Sequence, residues 1–286
     1  FSFENIPYGT WYVREIEQPT GFVLDDTIYP VTIGADGQVV EIEIVNRYVR
    51  GNIHLTKVDS EYPDNKLTGA TFEVYKDSNA NGKLDDGDEL LGTLTEKEKG
   101  EYSMNDLFYG RYFVKETKAP EGFVLDTGVY EVMIDTNGKT CEVENKAGVG
   151  FINDAMRGNL KIVKTSSDGK VKGFAFRITG ANGYDIILET NDKGEIFIDG
   201  LRIGDYTISE VSNSASSMYV IPADKKATVK LGSTTIVEMH NVLRDTPKTG
   251  DTTNLPLLYT LAGLSAVGIA VCGVIGFKKK KKEDRN

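Results

Sequence analysis

Residues 110–126, GRYFVKETKAPEGFVLD, decide how this chain is read. Side chains alternate faces along an extended strand, so Tyr112, Val114 and Glu116 share one side of YFVKE, and Phe113 and Lys115 the other. The first side reads as core, yet it ends on a carboxylate. A buried, unpaired charge is very costly, so either the face is misread or Glu116 is neutral or partnered.

The anomaly recurs. GTWYVREIEQPTGFVLD, from Gly9, nearly repeats GRYFVKETKAPEGFVLD, and a shorter GDYTISE begins at Gly204. A Glu stands six residues after each of these glycines, giving Glu15, Glu116 and Glu210. Each follows two residues of its own face that read as core: Trp11 and Val13, Tyr112 and Val114, Tyr206 and Ile208. A second repeated unit, RGNIHLTKVD from Arg50 and RGNLKIVKTS from Arg157, marks where domains begin. In it Ile53, Leu55 and Lys57, then Leu160, Ile162 and Lys164, fall on one face, so a lysine closes the apolar side both times. Asn46 and Asn153 each stand five residues before the glycine of the next start, Gly51 and Gly158. Asn46 follows Ile42 and Ile44 on its face; Asn241 follows Val237 and Met239. In the second repeat Asn145 matches the local pattern around Asn46, EVENK against EIVNR, whereas Asn153 matches the spacing. Asn153 is favoured, because GFIND reads as one more strand after a KAG turn, and Asn145 stays open. Each repeat thus points a Lys, a Glu and an Asn inward, the first having only Glu15 and Asn46.

Short alternating runs separated by turn signals such as DGQ, NGK and SDGK, with no long helical period before residue 255, predict an all-β body. At 286 residues the chain has room for more than one domain. The C-terminal KKKKKEDRN holds six cations and two anions; the residues before it hold 27 Lys and Arg against 41 Asp and Glu, a charge of −14. So acidic a body is no surface for nucleic acid. Cys272 lies in an apolar run that Cys141 cannot reach, so no disulfide framework is expected. Phosphate loops, nucleophile elbows and cysteine–histidine metal spacings are not found in the sequence. The chain opens at Phe1, in mid-repeat and without a signal peptide, and is expected to be the C-terminal part of a longer protein.

A lysine, a glutamate and an asparagine packed in one apolar core perturb one another usefully. Desolvation lowers the lysine pKa and raises that of the glutamate, making a neutral amine and a protonated acid accessible. The amine is a nucleophile and a carboxamide at contact distance its electrophile, while the acid stabilises the tetrahedral intermediate and shuttles a proton to departing ammonia. The product is an isopeptide bond between the first and last strands.

LTKVD, LTGATFEVY, YFVKETKAPEGF and the terminal-strand asparagine resemble the collagen-adhesin B-type, prealbumin-like repeats (SpaA-like) of Gram-positive adhesins and pilins. The resemblance covers residues 1 to about 244. It implies tandem immunoglobulin-like (prealbumin-like) β-sandwich domains carrying self-formed Lys–Asn isopeptide bonds assisted by Glu. By position it assigns Lys57, Glu116 and Asn153 (or Asn145) to the second repeat and Lys164, Glu210 and Asn241 to the third. The first keeps Glu15 and Asn46, its lysine expected upstream of Phe1.

Residues 255–277 carry no charge and are long enough to cross a hydrocarbon core as one helix; five lysines follow, placing the tail in the cytoplasm. Just ahead stand Thr246, Pro247, Lys248, Thr249 and Gly250. Pro-x-Thr-Gly, an apolar helix and a basic stop resemble the LPxTG sorting signal of Gram-positive wall proteins, with Thr246 in place of its Leu. That resemblance implies a sortase that splits Thr249 from Gly250 and passes the acyl group to a peptidoglycan precursor, the membrane being occupied only before sorting.

The expected organisation is therefore the second half of a sandwich repeat over 1–49, repeats over 50–157 and 158–244, the sorting motif and linker over 245–254, a transmembrane helix over 255–277 and a basic tail over 278–286. The expected function is a non-enzymatic, wall-anchored adhesin stalk outside the cell, stiffened by isopeptide bonds, with host matrix or other pilins as partners. Two alternatives are a minor or basal pilin, and the spacer of a surface enzyme whose catalytic domain lies upstream. YFVKETKAPEGF also resembles the pilin E box, whereas EYPDNK has Asp64 where major pilins carry a reactive lysine. No cofactor is required, though Asp77, Asn79, Asn81, Gly82, Asp85 and Asp88 match a calcium loop with the Lys83 carbonyl available. Strand-like sequence flanks that match where helices are usual, so a solvated acidic turn is the plainer reading. His54 and His240 alternate onto outward faces.

Overall fold

The structure, a computed structural model, describes residues 1–245. Residues 246–250 and 255–277, which carry the sorting and membrane-spanning expectations, lie outside the described residues. Among the described residues no helix is long and apolar enough to cross a membrane.

The first unit has four strands: β1 (Gly9–Val13), β2 (Phe22–Val23), β3 (Tyr29–Ile33) and β4 (Arg47–Tyr48). They pair as β1–β3 and β2–β4. No sandwich closes over them among the described residues, and Trp11 and Ile42, expected in a core, are exposed at 43% and 41%.

The second unit is a two-sheet sandwich. Its strands are β5 (Arg50–Asp59), β6 (Thr71–Lys76), β7 (Glu89–Thr93), β8 (Thr95–Glu98), β9 (Glu101–Phe108), β10 (Gly110–Lys118), β11 (Val129–Ile134), β12 (Thr140–Glu142) and β13 (Phe151–Asn153). One sheet runs β11–β10–β6–β7 and the other β12–β5–β9–β8, with β13 also on β5. The third unit repeats the plan with β14 (Arg157–Ser166), β15 (Ala175–Thr179), β16 (Asp185–Glu189), β17 (Glu195–Arg202), β18 (Gly204–Val211), β19 (Tyr219–Val220), β20 (Lys225–Val229) and β21 (Thr234–Leu243). Its sheets are β17–β14–β21–β19 and β16–β15–β18–β20. Arg157, expected to close the second repeat, opens β14 instead.

Alternation explains the packing. Ile53, Leu55, Phe72, Val74, Tyr112, Val114 and Phe151 fill one core, and Leu160, Ile162, Phe176, Ile178, Tyr206, Ile208 and Met239 the other. Tyr112 and Tyr206 each donate their hydroxyl to the carbonyl four residues back, Phe108 and Arg202, at 2.7 and 2.9 Å. These bonds tie down the hairpin leading into β10 and β18. That turn is sharp enough to need glycine: Gly110 and Gly204 have φ of +150° and +133°, where a Cβ is strained.

In each sandwich the first and last strands lie side by side and parallel. β5 pairs with β12 and β13, and β14 pairs with β21. Short linkers then dock each unit onto the next. Val49 N donates to Gly21 O (2.8 Å) while Tyr109 N donates to Val49 O (3.0 Å); Met156 N donates to Gly122 O (2.8 Å) while Ile203 N donates to Met156 O (3.0 Å).

Candidate functional site

The three inward polar groups of the second unit come from both sheets. Lys57, Glu116 and Asn153 are 0%, 0% and 3% exposed. Lys57 faces Phe151 in the β5–β13 register and Asn153 faces Asp59, so Asn153 stands one diagonal step from Lys57 on the same sheet face. Glu116 comes across the sandwich from β10, opposite Phe72. Lys57 Nζ donates to Phe151 O at 3.0 Å and lies 5.2 Å from the Phe151 ring centroid. Asn153 Nδ2 donates to Glu116 Oε2 (2.8 Å) and Val124 O (2.6 Å), and Asp126 N donates to the same Oε2 at 2.8 Å.

The third unit reproduces this arrangement. Lys164 faces Met239 and Ser166 faces Asn241, the same diagonal step, and Glu210 faces Phe176 as Glu116 faces Phe72. Asn241 Nδ2 donates to Glu210 Oε1 at 2.6 Å. Lys164 Nζ donates to Thr165 O and sits 4.1 Å from the Phe174 ring centroid. Both sandwiches leave the same atoms without a partner: Glu116 Oε1 with Asn153 Oδ1, and Glu210 Oε2 with Asn241 Oδ1. Paired buried acceptors facing no donor are costly and call for an explanation. A proton on each carboxyl turns one orphan acceptor into a donor.

The electrostatics run the same way. Burial pushes Lys57 down to about 8 against the opposing pull of Glu116, Asp126 and Asp59, and burial also lowers Lys164. Burial raises Glu116 and Glu210 above the ordinary carboxylate range, although the hydrogen bonds from Asn153 and Asn241 and the nearby lysines oppose it. Asp126, ten residues after Glu116, goes the other way: burial would raise it, but hydrogen bonds from Asn145, Gly128 and Tyr130 outweigh burial and hold it low. Two neighbouring carboxyls pushed apart in this way separate an acid from a fixed anion.

Asn145 is placed elsewhere. Its Nδ2 donates to Asp126 Oδ2 (2.7 Å) and Ile152 O (2.9 Å), and its Oδ1 accepts Ile152 N (2.6 Å). It holds β13 against the Asp126 loop, while Asn153 meets Glu116. In the first unit Glu15 Oε1 accepts Asn46 Nδ2 at 2.7 Å and Glu15 Oε2 accepts Asp25 N at 2.8 Å, with no lysine of the described residues bonded to either side chain. The last position of the repeated GFVLD, Asp25 and Asp126, gives its backbone N–H to the inward glutamate of its unit, a contact the sequence alone does not show.

The acidic loop is closed on itself. Asp77 accepts Asn81 N and Gly82 N, Asp85 accepts both the Asn79 and Asn81 amides, and Asp88 accepts Ser78 N and Asp85 N. Among the described residues no group of three or more His, Cys, Asp or Glu is placed to hold a metal ion. His54 is a cross-strand tie, bonded to Glu101 at 2.9 Å and Glu142 at 2.7 Å.

Parallel first and last strands in an all-β sandwich, with a third inward residue from the opposite sheet, define a module that this chain repeats. The chain belongs to the SpaA family of prealbumin-like fold domains, whose model matches residues 1–48, 51–147 and 158–242. It is 28% identical over 194 residues to the trypsin-resistant surface T6 protein of Streptococcus pyogenes serotype M6, covering 57% of this chain and 34% of that protein. The structure of the Bacillus anthracis TIE protein is similar at a TM-score of 0.62 and 27% identity, over 83% of this chain and 42% of that one. This chain thus spans well under half the length of either relative. The second family match ends at residue 147, which takes in Asn145 and stops short of β13.

Proposed function

We propose that this chain is the stalk region of a pilin-like surface protein of a Gram-positive bacterium, with its second and third units cross-linked by Lys57–Asn153 and Lys164–Asn241 isopeptide bonds. The observation that supports this most is the twofold recurrence of a fully buried lysine one diagonal step from an asparagine that is itself bonded to a buried glutamate.

In the reaction, neutral Lys57 Nζ attacks Asn153 Cγ to give a tetrahedral intermediate, with protonated Glu116 hydrogen-bonding the developing oxyanion. A proton then passes from Nζ through Glu116 to the amide nitrogen, the C–N bond breaks, and ammonia leaves. Glu116 is regenerated, one amide replaces another, and no oxidant is consumed. Lys164, Glu210 and Asn241 act identically. Outside these reactions the chain turns over nothing.

The sequence of residues 246–286 supports anchoring: a sortase takes the Thr249 acyl group and transfers it to a peptidoglycan precursor. The stalk then holds more distal regions, adhesive or pilus-forming, away from the wall. The resemblance to pilin repeats favours a minor or basal pilin as the second reading.

Intact mass spectrometry of the chain tests the chemistry. A deficit of two ammonia masses is expected, one lost in Lys57→Ala and the other in Lys164→Ala. The full unmodified mass would show that the inward groups form only a buried polar network. Incubation with a sortase and an amine acceptor tests the anchoring: product joined at Thr249, and its loss in Thr249→Ala, is the expected result.

A further inference from the structure

Asp59 lies two residues beyond Lys57 on the same face of β5, opposite Asn153 in the register, and is fully buried. It is an awkward neighbour. A carboxylate there favours the ammonium form of Lys57, which cannot attack a carboxamide. Glu116 on β10 and Asp126 after it also face Lys57 and pull on it more strongly than Asp59, but their partners lie within the second unit: Asn153 and Asp126 N for Glu116, and Asn145, Gly128 and Tyr130 for Asp126. Glu61 N and Tyr62 N donate to Asp59 Oδ1, and the remaining partner comes from the next domain.

That partner is Arg202, at the end of β17 in the third unit. Its guanidinium grips Asp59 bidentately, Nη1 to Oδ2 at 2.6 Å and Nη2 to Oδ1 at 2.7 Å. It also bonds Glu61 at 2.9 and 2.6 Å and lies over the Tyr62 and Phe123 rings, while Arg157 pairs with the other Glu61 oxygen. The third unit has Ser166 at the register position of Asp59, and the aspartate that acts on its lysine, Asp168, is bonded inside that unit by Ser166, Lys170 N and the Tyr219 hydroxyl, so no neighbouring domain is needed.

We propose that Arg202 is a positioning residue for the reaction of the preceding unit: docking of the third unit neutralises Asp59, and the Lys57–Asn153 bond forms fastest only after that docking. The inference rests on the isopeptide reading above. It makes cross-linking of the second unit follow the folding and docking of the third.

The test is a time course of bond formation in freshly synthesised chain, quenched in acid and resolved by peptide mass mapping for the two units separately. Arg202→Met is expected to slow the Lys57–Asn153 bond measurably near neutral pH, because an unmasked Asp59 raises the amine pKa and leaves less of it neutral. The Lys164–Asn241 bond keeps its rate and reports that the third unit has folded. Raising the pH restores the rate in Arg202→Met, and so does removing the charge in Asp59→Asn/Arg202→Met. A wild-type rate in Arg202→Met overturns the inference while leaving the cross-links standing. So does a double variant as slow as the single one, since the loss would then be one of docking alone. Absence of any Lys57–Asn153 bond in the wild type removes the isopeptide reading, and this inference with it.

Discussion

Glu116 accepts the Asp126 backbone N–H, and the two carboxyls are shifted in opposite directions, Glu116 up by burial and Asp126 down by its hydrogen bonds. In the proposed reaction Glu116 supplies both the oxyanion contact and the proton shuttle, so Glu116→Ala is expected to leave the second unit at its unmodified mass while the third still loses ammonia. The buried lysine also makes a thermodynamic prediction in a chain that cannot cross-link. In Asn153→Ala, Lys57 binds its proton more weakly folded, at about 8, than unfolded, at 10.5. Between those values the unfolded state holds more protons, so the contribution of Lys57 to stability rises with pH; below them the full penalty of burying an ammonium is present. Lys57→Met in the Asn153→Ala background is therefore expected to raise Tm most near pH 7, the advantage shrinking towards about pH 10. A pH-independent difference, read by calorimetry, would show that the ammonium is solvated in the folded state.

Strand β13 has a local cause. After β12 the chain leaves β5, turns through Lys146–Gly150, and returns to β5 with Phe151–Asn153. Its close return depends on Gly150: φ is +124°, and a Cβ there would lie 2.7 Å from Thr56 O. Gly150→Ala is expected to cost roughly 1–3 kcal/mol in a Lys57→Ala background, by strain and by lifting β13, and to slow bond formation in the otherwise native chain. The alternation of YFVKE and of IHLTK made β10, β5 and their inward Glu and Lys readable, because period-two burial is a local property of sequence. The choice between Asn145 and Asn153 was harder. The residues around Asn145 copy those around Asn46, and only the eight-residue excursion, with its cost in turn residues, moves the later asparagine into the pocket. Arg202 was unreadable: its partner Asp59 is 143 residues away and belongs to another domain. Trp11 and Ile42 were misjudged because alternation reports which face is apolar, and says nothing of whether a second sheet covers it.

At the scale of the whole chain, the parallel first and last strands set where tension travels. With the proposed cross-links in place, tension would enter at Arg50, follow β5 to Lys57, cross to Asn153, and pass through 154–163 to Lys164 and across to Asn241. Residues 58–152 and 165–240 would then carry none of it. Force spectroscopy on the cross-linked chain is expected to show no unfolding extension from either sandwich. Lys57→Ala should release the 58–152 segment, roughly 300 Å at about 3.4 Å per residue; the same extension in the unaltered chain would mean that the bond is missing. The same geometry governs damage. Each sandwich, once cross-linked as proposed, would be a closed ring set into a line, and a ring must be cut twice on opposite sides to part it. A protease that nicks the exposed turn at residues 78–81 would open the ring of the second unit, yet the two sides would stay joined through the proposed Lys57–Asn153 bond. Under denaturing electrophoresis the nicked chain should still run as one covalent species, separating into two only in Lys57→Ala.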